Sequence, residues 1–442
     1  MPKLRRNVTF LEALAINISA IIGAGIFTIS GLAAGLAGPG VIFSIAIGAI
    51  IAIFTGMSFA ELAHVYAREG GNYEYSREVL GSYAGFIAGF VWIAATIISG
   101  AAVALSFGGY FLSIFNIPLS SEVMAALLII VLAVINYFGV KHSARISVLL
   151  IIVNISILAL FVIIGIFFVK TSNFVPLLPK GLGGVAVSSA FIFFAYTGFA
   201  RVTMLGEEIE KPKKTIPKAI IVSIAISALV YTLVMFVLIG IIPYQNISSS
   251  TAPLANAMYY ATHNKIIDYA ISLGAIVATV NVDLAMILGL SRVVFAMSRD
   301  HDLPKVFNRI NKYGVPDAAI AIPSLIMVLA MFAISFKEIV ALSNSAALVS
   351  YAIANLGAIK LAFMYRKDRN RMLFGSKYFI AIPALGLILT SMLLIFLTRL
   401  SIILTFAMLV FITIYYILAK AERTRLGLPL TQYKHIAKKP NW

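Results

Sequence analysis

Cysteine is absent from the 442 residues, which excludes a disulfide framework, thiol chemistry and thiolate metal sites. Histidine is almost as scarce. The five present all avoid the middle of the long apolar runs, so a histidine metal centre or histidine proton relay is not expected. Charge is thin as well: 12% of residues are charged against 61% hydrophobic, with a mean hydropathy of +1.00. Soluble globular domains do not have that balance, and the composition is that of a polytopic membrane protein. No linker or low-complexity segment marks off a soluble domain. The N-terminal MPKLRRNVTF runs into the first apolar stretch without a cleavage site, so no removable signal peptide is expected.

What charge there is leans strongly positive, at a formal +17. Its placement argues against nucleic acid as the partner. Of the 34 Lys and Arg, only Lys170, Lys180, Lys265, Lys337 and Arg399 fall in loops on the side away from the N-terminus, and Arg201, Arg292 and Lys360 fall within apolar runs. The remainder lie on the N-terminal side. Cytoplasmic loops carry the Lys/Arg excess, so both termini are expected in the cytoplasm and the number of spans is expected to be even. The basic tail from Ala421 to Trp442 suits contact with anionic lipid.

Twelve spans fit the hydropathy, at about 11–37, 39–66, 82–115, 122–140, 146–170, 185–209, 219–243, 265–298, 318–336, 338–364, 376–397 and 399–421. Spans 3 and 8 exceed what a bilayer needs, so tilt or interruption is expected there.

The stretch Asn17–Phe27, NISAIIGAGIF, lies inside the first span yet carries Asn17, Ser19 and Gly23-Ala24-Gly25. Gly-x-Gly at mid-depth breaks a helix more readily than it continues one. Freed backbone groups are tolerable in a membrane only where they line a cavity; the competing reading is a small-residue packing face, to which Gly31 and Gly35 could contribute. Span 6, SSAFIFFAYTGFARVTMLGEE, carries Ala195-Tyr196-Thr197-Gly198 at the same depth. Spans 1 and 6 are five apart, and two repeats of five spans are necessarily inverted. Paired interruptions in two halves are the best sequence pointer to a transporter's binding site. On helix polarity, the outer half of span 1 begins near Gly25 with free N–H groups, and the outer half of span 6 ends near Phe194 with free carbonyls. One end suits a carboxylate and the other an ammonium, so a zwitterionic α-amino acid is the simplest ligand.

Several motifs then point to a family. GAGIF is followed by Ala37-Gly-Pro-Gly40, and span 2 closes in FAELAHVYAREGGNYEYSREVLG, with Glu61, Gly70, Gly71, Tyr73, Tyr75 and Gly81. EEIEKPKKTIPKAI (from Glu207) and SRVVFAMSRDHDLPKVF (from Ser291) follow in order. Together these resemble the amino acid–polyamine–organocation (APC) superfamily of secondary transporters over about residues 10–320, with Ala67 standing where that family usually has Pro. The resemblance implies an all-α membrane protein of the leucine-transporter-like kind. It would have 12 transmembrane helices, a five-plus-five inverted repeat, broken helices 1 and 6, and helices 11 and 12 outside the repeat. A transport core would then occupy 1–365, with repeats at about 11–170 and 185–364, and 366–442 would hold helices 11 and 12 and the tail, open to packing or homodimer contacts.

By position, the resemblance places substrate at Ile21, Gly23, Ala24 and Gly25 and at Phe194, Ala195, Thr197 and Gly198. Ala24 and Ala200 stand where some relatives carry a polar residue or an acid, which argues against arginine or agmatine exchange. Trp92 is a candidate for the pocket wall or for plain packing. Asp283, near the middle of span 8, is the one acid deep in the expected bilayer, where insertion costs at least ~2.5–3.5 kcal/mol and function is the default. It could carry a coupling proton. Alternatively, with Thr279 on the same helix face and the carbonyls of Ser19 and Ile22, it could help hold Na⁺; a third reading is a structural pair with Arg201 or Lys360. Asn281 falls on the opposite face. Asn154 replaces a span-5 lysine of some proton-coupled relatives and could hydrogen-bond Asp283 or the broken first span. Glu61 and Arg201 form a candidate inner gate, with snorkelling of Arg201 as the plainer alternative, and Glu207–Lys218 is expected to be a short amphipathic helix. The expectation is therefore a plasma-membrane carrier of neutral or broad-range amino acids, coupled to protons, with no cofactor; an exchanger of the same fold is the rival. Without a metal cluster, nucleophile elbow or catalytic histidine pair, an enzyme is not expected.

Overall fold

The computed structural model describes residues 8–22, 24–66, 71–115, 117–138, 144–205, 209–374 and 379–425, and among these it contains helices and no strand. In chain order the helices are α1 (Phe10–Ile21), α2 (Gly25–Ala37), α3 (Val41–Val65), α4 (Asn72–Leu80), α5 (Ser82–Phe115), α6 (Ser121–Tyr137), α7 (Ala144–Gly165) and α8 (Gly181–Ile192). They continue with α9 (Pro212–Ile241), a single turn α10 (Tyr244–Ile247), α11 (Pro253–Thr262), α12 (Lys265–Arg299), α13 (Asp317–Ala333), α14 (Phe336–Met364), α15 (Ala381–Ile395) and α16 (Arg399–Arg425). Between α8 and α9 runs a 3-10 helix, Phe193–Leu205.

Local chemistry sets these boundaries. Thr9 opens α1 with a capping box: its hydroxyl oxygen accepts from the Glu12 N–H at 3.4 Å while its own N–H donates to Glu12 Oε2 at 2.9 Å. Asn264 opens α12, its side-chain oxygen accepting from the Ile266 N–H at 2.8 Å. Gly38, at φ 62°, stops α2, and Pro39 follows to redirect the chain into α3.

Seven helical stretches among the described residues are long and apolar enough to cross a membrane: Phe10–Val65, Ser82–Phe115, Gly181–Thr203, Pro212–Ile241, Lys265–Arg299, Phe336–Met364 and Arg399–Lys420. Four shorter apolar helices, Ser121–Tyr137, Ile152–Phe168, Asp317–Ala333 and Ala381–Ile395, overlap the expected spans 4, 5, 9 and 11. Burial ranks the long ones: 72% of the apolar window is buried in α5 and 11% in α16, so α5 is central and α16 peripheral. α12 and α14 both pack on α5, and α1 lies against the 3-10 segment, α7 and α9. The 34 residues of α5 and 35 of α12 run without interruption, which leaves tilt or projection beyond the bilayer to absorb their length.

Two expectations need correcting. The expected amphipathic helix at Glu207–Lys218 is not a separate element. Lys211 turns the chain with φ 47°, and α9 starts at Pro212, a position where proline's missing N–H costs nothing, then runs 30 residues into span 7; Glu207 and Glu208 lie outside the described residues. Span 6, in turn, is not cut at Ala195–Gly198 but rewound over 13 residues as a 3-10 helix, far longer than the usual single turn. Two of its carbonyls, at Ala195 and Thr197, accept from side-chain hydroxyls of other helices.

Glycines hold the two irregular segments together. A Cβ on Gly25 would lie 2.7 Å from Ala195 Cα, and one on Gly198 would lie 2.1 Å from the Ala20 carbonyl oxygen. Backbone thus meets backbone on both sides, as small residues permit between membrane helices. Gly25→Ala and Gly198→Ala are each expected to destabilise the protein by about 1–3 kcal/mol, read as a lowered unfolding temperature in detergent. Gly289→Ala, where an added Cβ meets nothing within 4 Å, serves as the neutral control.

Candidate functional site

At the junction of the first span, α1 ends with the Ile22 N–H donating to the Ile18 carbonyl at 2.7 Å. α2 begins at Gly25 with no side chain capping it. The intervening Gly23 lies outside the described residues. An uncapped, buried helix start presents N–H groups and a positive dipole end. Ala24, Gly25, Phe194 and Ala195 are all buried here.

Side chains from two other helices satisfy the carbonyls around this junction. The Tyr231 hydroxyl, on α9, lies 2.6 Å from the Ile21 carbonyl oxygen and 3.0 Å from that of Ala195, within reach of both irregular segments. Asn17 donates to Ser223 Oγ at 2.6 Å and accepts from the Val202 N–H at 3.3 Å. Asn344 on α14 donates to the Ala190 and Phe191 carbonyls at 2.8 and 3.2 Å. Tyr351, also on α14, donates to the Thr197 carbonyl and packs its ring on Phe59, Phe193 and Phe199.

Beside Gly198 a cavity opens between α1, α3, α4, α5, the 3-10 segment, α12 and α14. Ala20, Trp92, Thr96, Ser99, Thr197, Gly198, Arg201, Met286, Ser343 and Tyr351 are among its lining residues. Trp92 is therefore a wall residue as well as a packing one. Of the residues expected to hold substrate, Thr197 and Gly198 line this cavity. Gly25 and Ala195 meet in a closed contact, and Ile21, Ala24 and Phe194 are buried away from the lining.

α4 supplies the far wall. Asn72 lines the cavity and donates to the Ser350 carbonyl and hydroxyl, both at 2.7 Å. α4 itself is pinned to the end of α12: Arg77 pairs with Asp300 at 2.9 Å, and the Tyr73 hydroxyl donates to Asp302 at 2.8 Å. Burial, and then the Asp302 charge, push the Tyr73 phenol above its ordinary range, so it stays a donor. Burial works against the Arg77 charge, but Tyr73, Asp302, Asp300 and Glu74 more than offset it.

The expected ion-coupling group is not assembled. Asp283 is buried with neither carboxylate oxygen hydrogen-bonded among the described residues, and it faces α5, with Oδ1 3.6 Å from where a Cβ on Gly100 would stand. Thr279 turns its hydroxyl back to the Ala275 and Ile276 carbonyls, as a threonine in a membrane helix readily does. Ser19 is met by Asn281, the residue assigned to the opposite face from Asp283, at 3.4 Å. Ile22 serves as the C-cap of α1. Asn154 is buried with both polar side-chain atoms unpartnered among the described residues, so the expected bond to Asp283 is absent.

The expected Glu61–Arg201 gate pair is not formed either. Glu61 is fully buried, and its two oxygens accept the Leu373 and Phe374 N–H groups at 2.9 and 3.0 Å, clasping α3 to the segment before α15. Arg201 points into the cavity instead. Sequence reasoning missed Tyr231, Tyr351 and Asn344 as organisers of the site; the one available signal was a polar side chain in the middle of an apolar run.

Similarity to other proteins fits this geometry. Residues 12–424 match the family described as "Amino acid permease". The chain belongs to that family. Its members are transporters of the APC superfamily, not enzymes. This permease-family chain is 32% identical over 373 residues to an uncharacterized transporter of Mycobacterium tuberculosis, covering 83% of each. It is 29% identical over 384 residues to the branched-chain amino acid permease BcaP of Bacillus subtilis, covering 81% of each. It is also 32% identical over 326 residues to the methylthioribose transporter of the same organism, covering 70% of each. Family and relatives support amino acid transport by a multi-pass membrane protein.

Removing the Tyr231 hydroxyl (Tyr231→Phe) is expected to cost about 0.5–1.5 kcal/mol of stability and to slow amino acid uptake, measured by thermal unfolding and by proteoliposome flux. Glu61→Gln presents an amide NH2 to two N–H donors and is expected to cost about 1–3 kcal/mol. Faster tryptic cleavage after Arg371 would report the loosened clasp.

Proposed function

We propose that the protein is a secondary active transporter that moves L-amino acids, neutral or of broad range, across the plasma membrane by alternating access, in symport with a proton. The observation that carries this reading is the contact of two irregular segments through Gly25 and Gly198 beside a polar-lined cavity, the arrangement that serves substrate sites in inverted-repeat transporters. In this reading twelve helices cross the membrane with both termini in the cytoplasm. Two inverted repeats, at about 11–170 and 185–364, form the transport core. Residues 366–442 pack outside it, leaving the exposed apolar face of α16 for lipid or a second copy.

The α-carboxylate of the substrate binds at the start of α2, at Gly23, Ala24 and Gly25. The α-ammonium is held by the Ile21 carbonyl and by the segment Phe194, Ala195, Thr197 and Gly198. Opening the Gly25–Ala195 contact admits the ligand, and the Tyr231 hydroxyl, within reach of both segments, senses that movement. The branched-chain permease relative supports a neutral aliphatic side chain as one accepted cargo.

Asp283 carries the proton. A buried carboxyl without hydrogen-bond partners is costly when charged, and taking up a proton removes that charge. Asn154, likewise unpartnered, is free to meet it or the first span in another state. Binding of Na⁺ by Asp283, Thr279, Ser19 and Ile22 is disfavoured by the Thr279 and Ser19 contacts.

The test is uptake of labelled alanine and leucine into proteoliposomes with an inward proton gradient and no sodium, for wild type and Asp283→Asn. Gradient-driven accumulation is expected in the wild type and should be lost in the variant while counterflow exchange persists. Uptake indifferent to the gradient but stimulated by internal amino acid would instead identify an exchanger and return Asp283 to a structural role.

A further inference from the structure

Among the described residues Arg201 is the one charged residue on the cavity lining; the other polar groups there, Asn72, Thr96, Ser99, Thr197, Ser343 and Ser350 among them, are neutral. The ion pairs among the described residues join Arg77 to Asp300, Arg309 to Asp317 and Arg371 to Asp368, and none includes Arg201. Its electrostatic neighbour is the neutral phenol of Tyr351, whose hydroxyl proton is already given to the Thr197 carbonyl. A guanidinium offers five N–H donors in a planar fork shaped for a carboxylate. Here none of them has a hydrogen-bond acceptor among the described residues. Arg77 shows the ordinary solution in this same protein, with a carboxylate at 2.9 Å. Keeping an unpaired cation on the wall of a low-dielectric cavity is costly unless an anion arrives to complete it.

Distance suggests which anion. Residues three apart on a 3-10 helix share a face, separated by about 6 Å, so Arg201 stands one turn below Gly198 on the side that faces the cavity. An amino acid whose backbone groups sit at Gly25 and Thr197 therefore turns its side chain, and not its α-carboxylate, toward Arg201.

We propose that Arg201 is a specificity-determining residue that pairs with a side-chain carboxylate of the substrate, so that the cavity accepts acidic α-amino acids and rejects cationic ones. This inference rests on the amino acid transport reading above and narrows its substrate range by charge. A cationic side chain in the same place would face Arg201 with no acid among the described lining residues to screen it.

The test is direct binding to the purified full-length protein in detergent, by titration calorimetry, of glutamate, its neutral isostere glutamine, and lysine. Wild type, R201Q and R201K are compared by the ratio of glutamate to glutamine affinity, because general damage to the site lowers both. Wild type is expected to favour glutamate by about tenfold or more and to bind lysine weakest. R201Q should bring the ratio close to one, and R201K should keep part of the preference, since an ammonium retains the charge and loses the fork. Equal affinity for glutamate and glutamine in the wild type, or an unchanged ratio in R201Q, would overturn the proposal; the wild-type comparison decides even if R201Q does not fold. Leucine uptake without glutamate preference would sink this inference and leave the transport reading intact. Glutamate preference that depends on Arg201, with no amino acid crossing the membrane, would do the reverse.

Discussion

A backbone carbonyl or N–H that loses its helical partner inside a membrane must be given another, because lipid offers none. Several of the polar contacts in the middle of this protein answer that demand. Where α1 gives way to α2 and where α8 gives way to the 3-10 segment, the chain has left regular α-helix in its most buried layer. Tyr231, Asn17, Asn344 and Tyr351 then reach in from α9, α1 and α14 to occupy the groups concerned. The glycines do the complementary task. Gly25 and Gly198 let the two irregular segments touch without side chains between them, so that a dipole end and a wound carbonyl ladder share one small space.

That closeness shapes the cavity. With the contact above Gly198 shut, open volume remains on the side of Thr197, Arg201 and α4, walled by Trp92, Thr96 and Ser99 of α5 and by Ser343 and Tyr351 of α14. α4 is fixed from two directions, through Asn72 to Ser350 and through Tyr73 and Arg77 to the end of α12. Its position thus depends on α12 and α14 together, and the cavity's far wall moves only if they do. The Glu61 clasp extends the same dependence outward, since α3 cannot shift relative to the segment before α15 without breaking two hydrogen bonds at once.

The first interruption was legible because its cause is local: Gly-Ala-Gly inside an apolar run conflicts with helix propensity over three residues. The family motifs around Glu61, Gly71 and Tyr73 were legible for the same reason. What stayed hidden was set by partners far away in the chain. Glu61 finds its N–H donors 312 and 313 residues on, and no spacing rule distinguishes that from a pairing with Arg201. Tyr231 and Tyr351 read as ordinary aromatic residues until the carbonyls they serve are brought beside them. The helical-wheel argument for Asp283 and Thr279 placed them correctly on one face but could not say which helix that face meets, and the side chains make separate contacts. Similarly, Ala195–Gly198 signalled irregularity in span 6, but the rewinding runs further, from Phe193 to Leu205, over residues with no local helix-breaking signal of their own.

The winding of that segment stores length. Thirteen residues in 3-10 geometry cover about 26 Å, at ~2.0 Å each, whereas the same residues as α-helix would cover about 20 Å. Merely retightening or relaxing the coil, with no hinge and no broken covalent geometry, would therefore shift its inner end by about 3.5 Å relative to Gly198. It would also rotate each side chain beyond that glycine to a new bearing. The segment can behave as a screw as well as a strut.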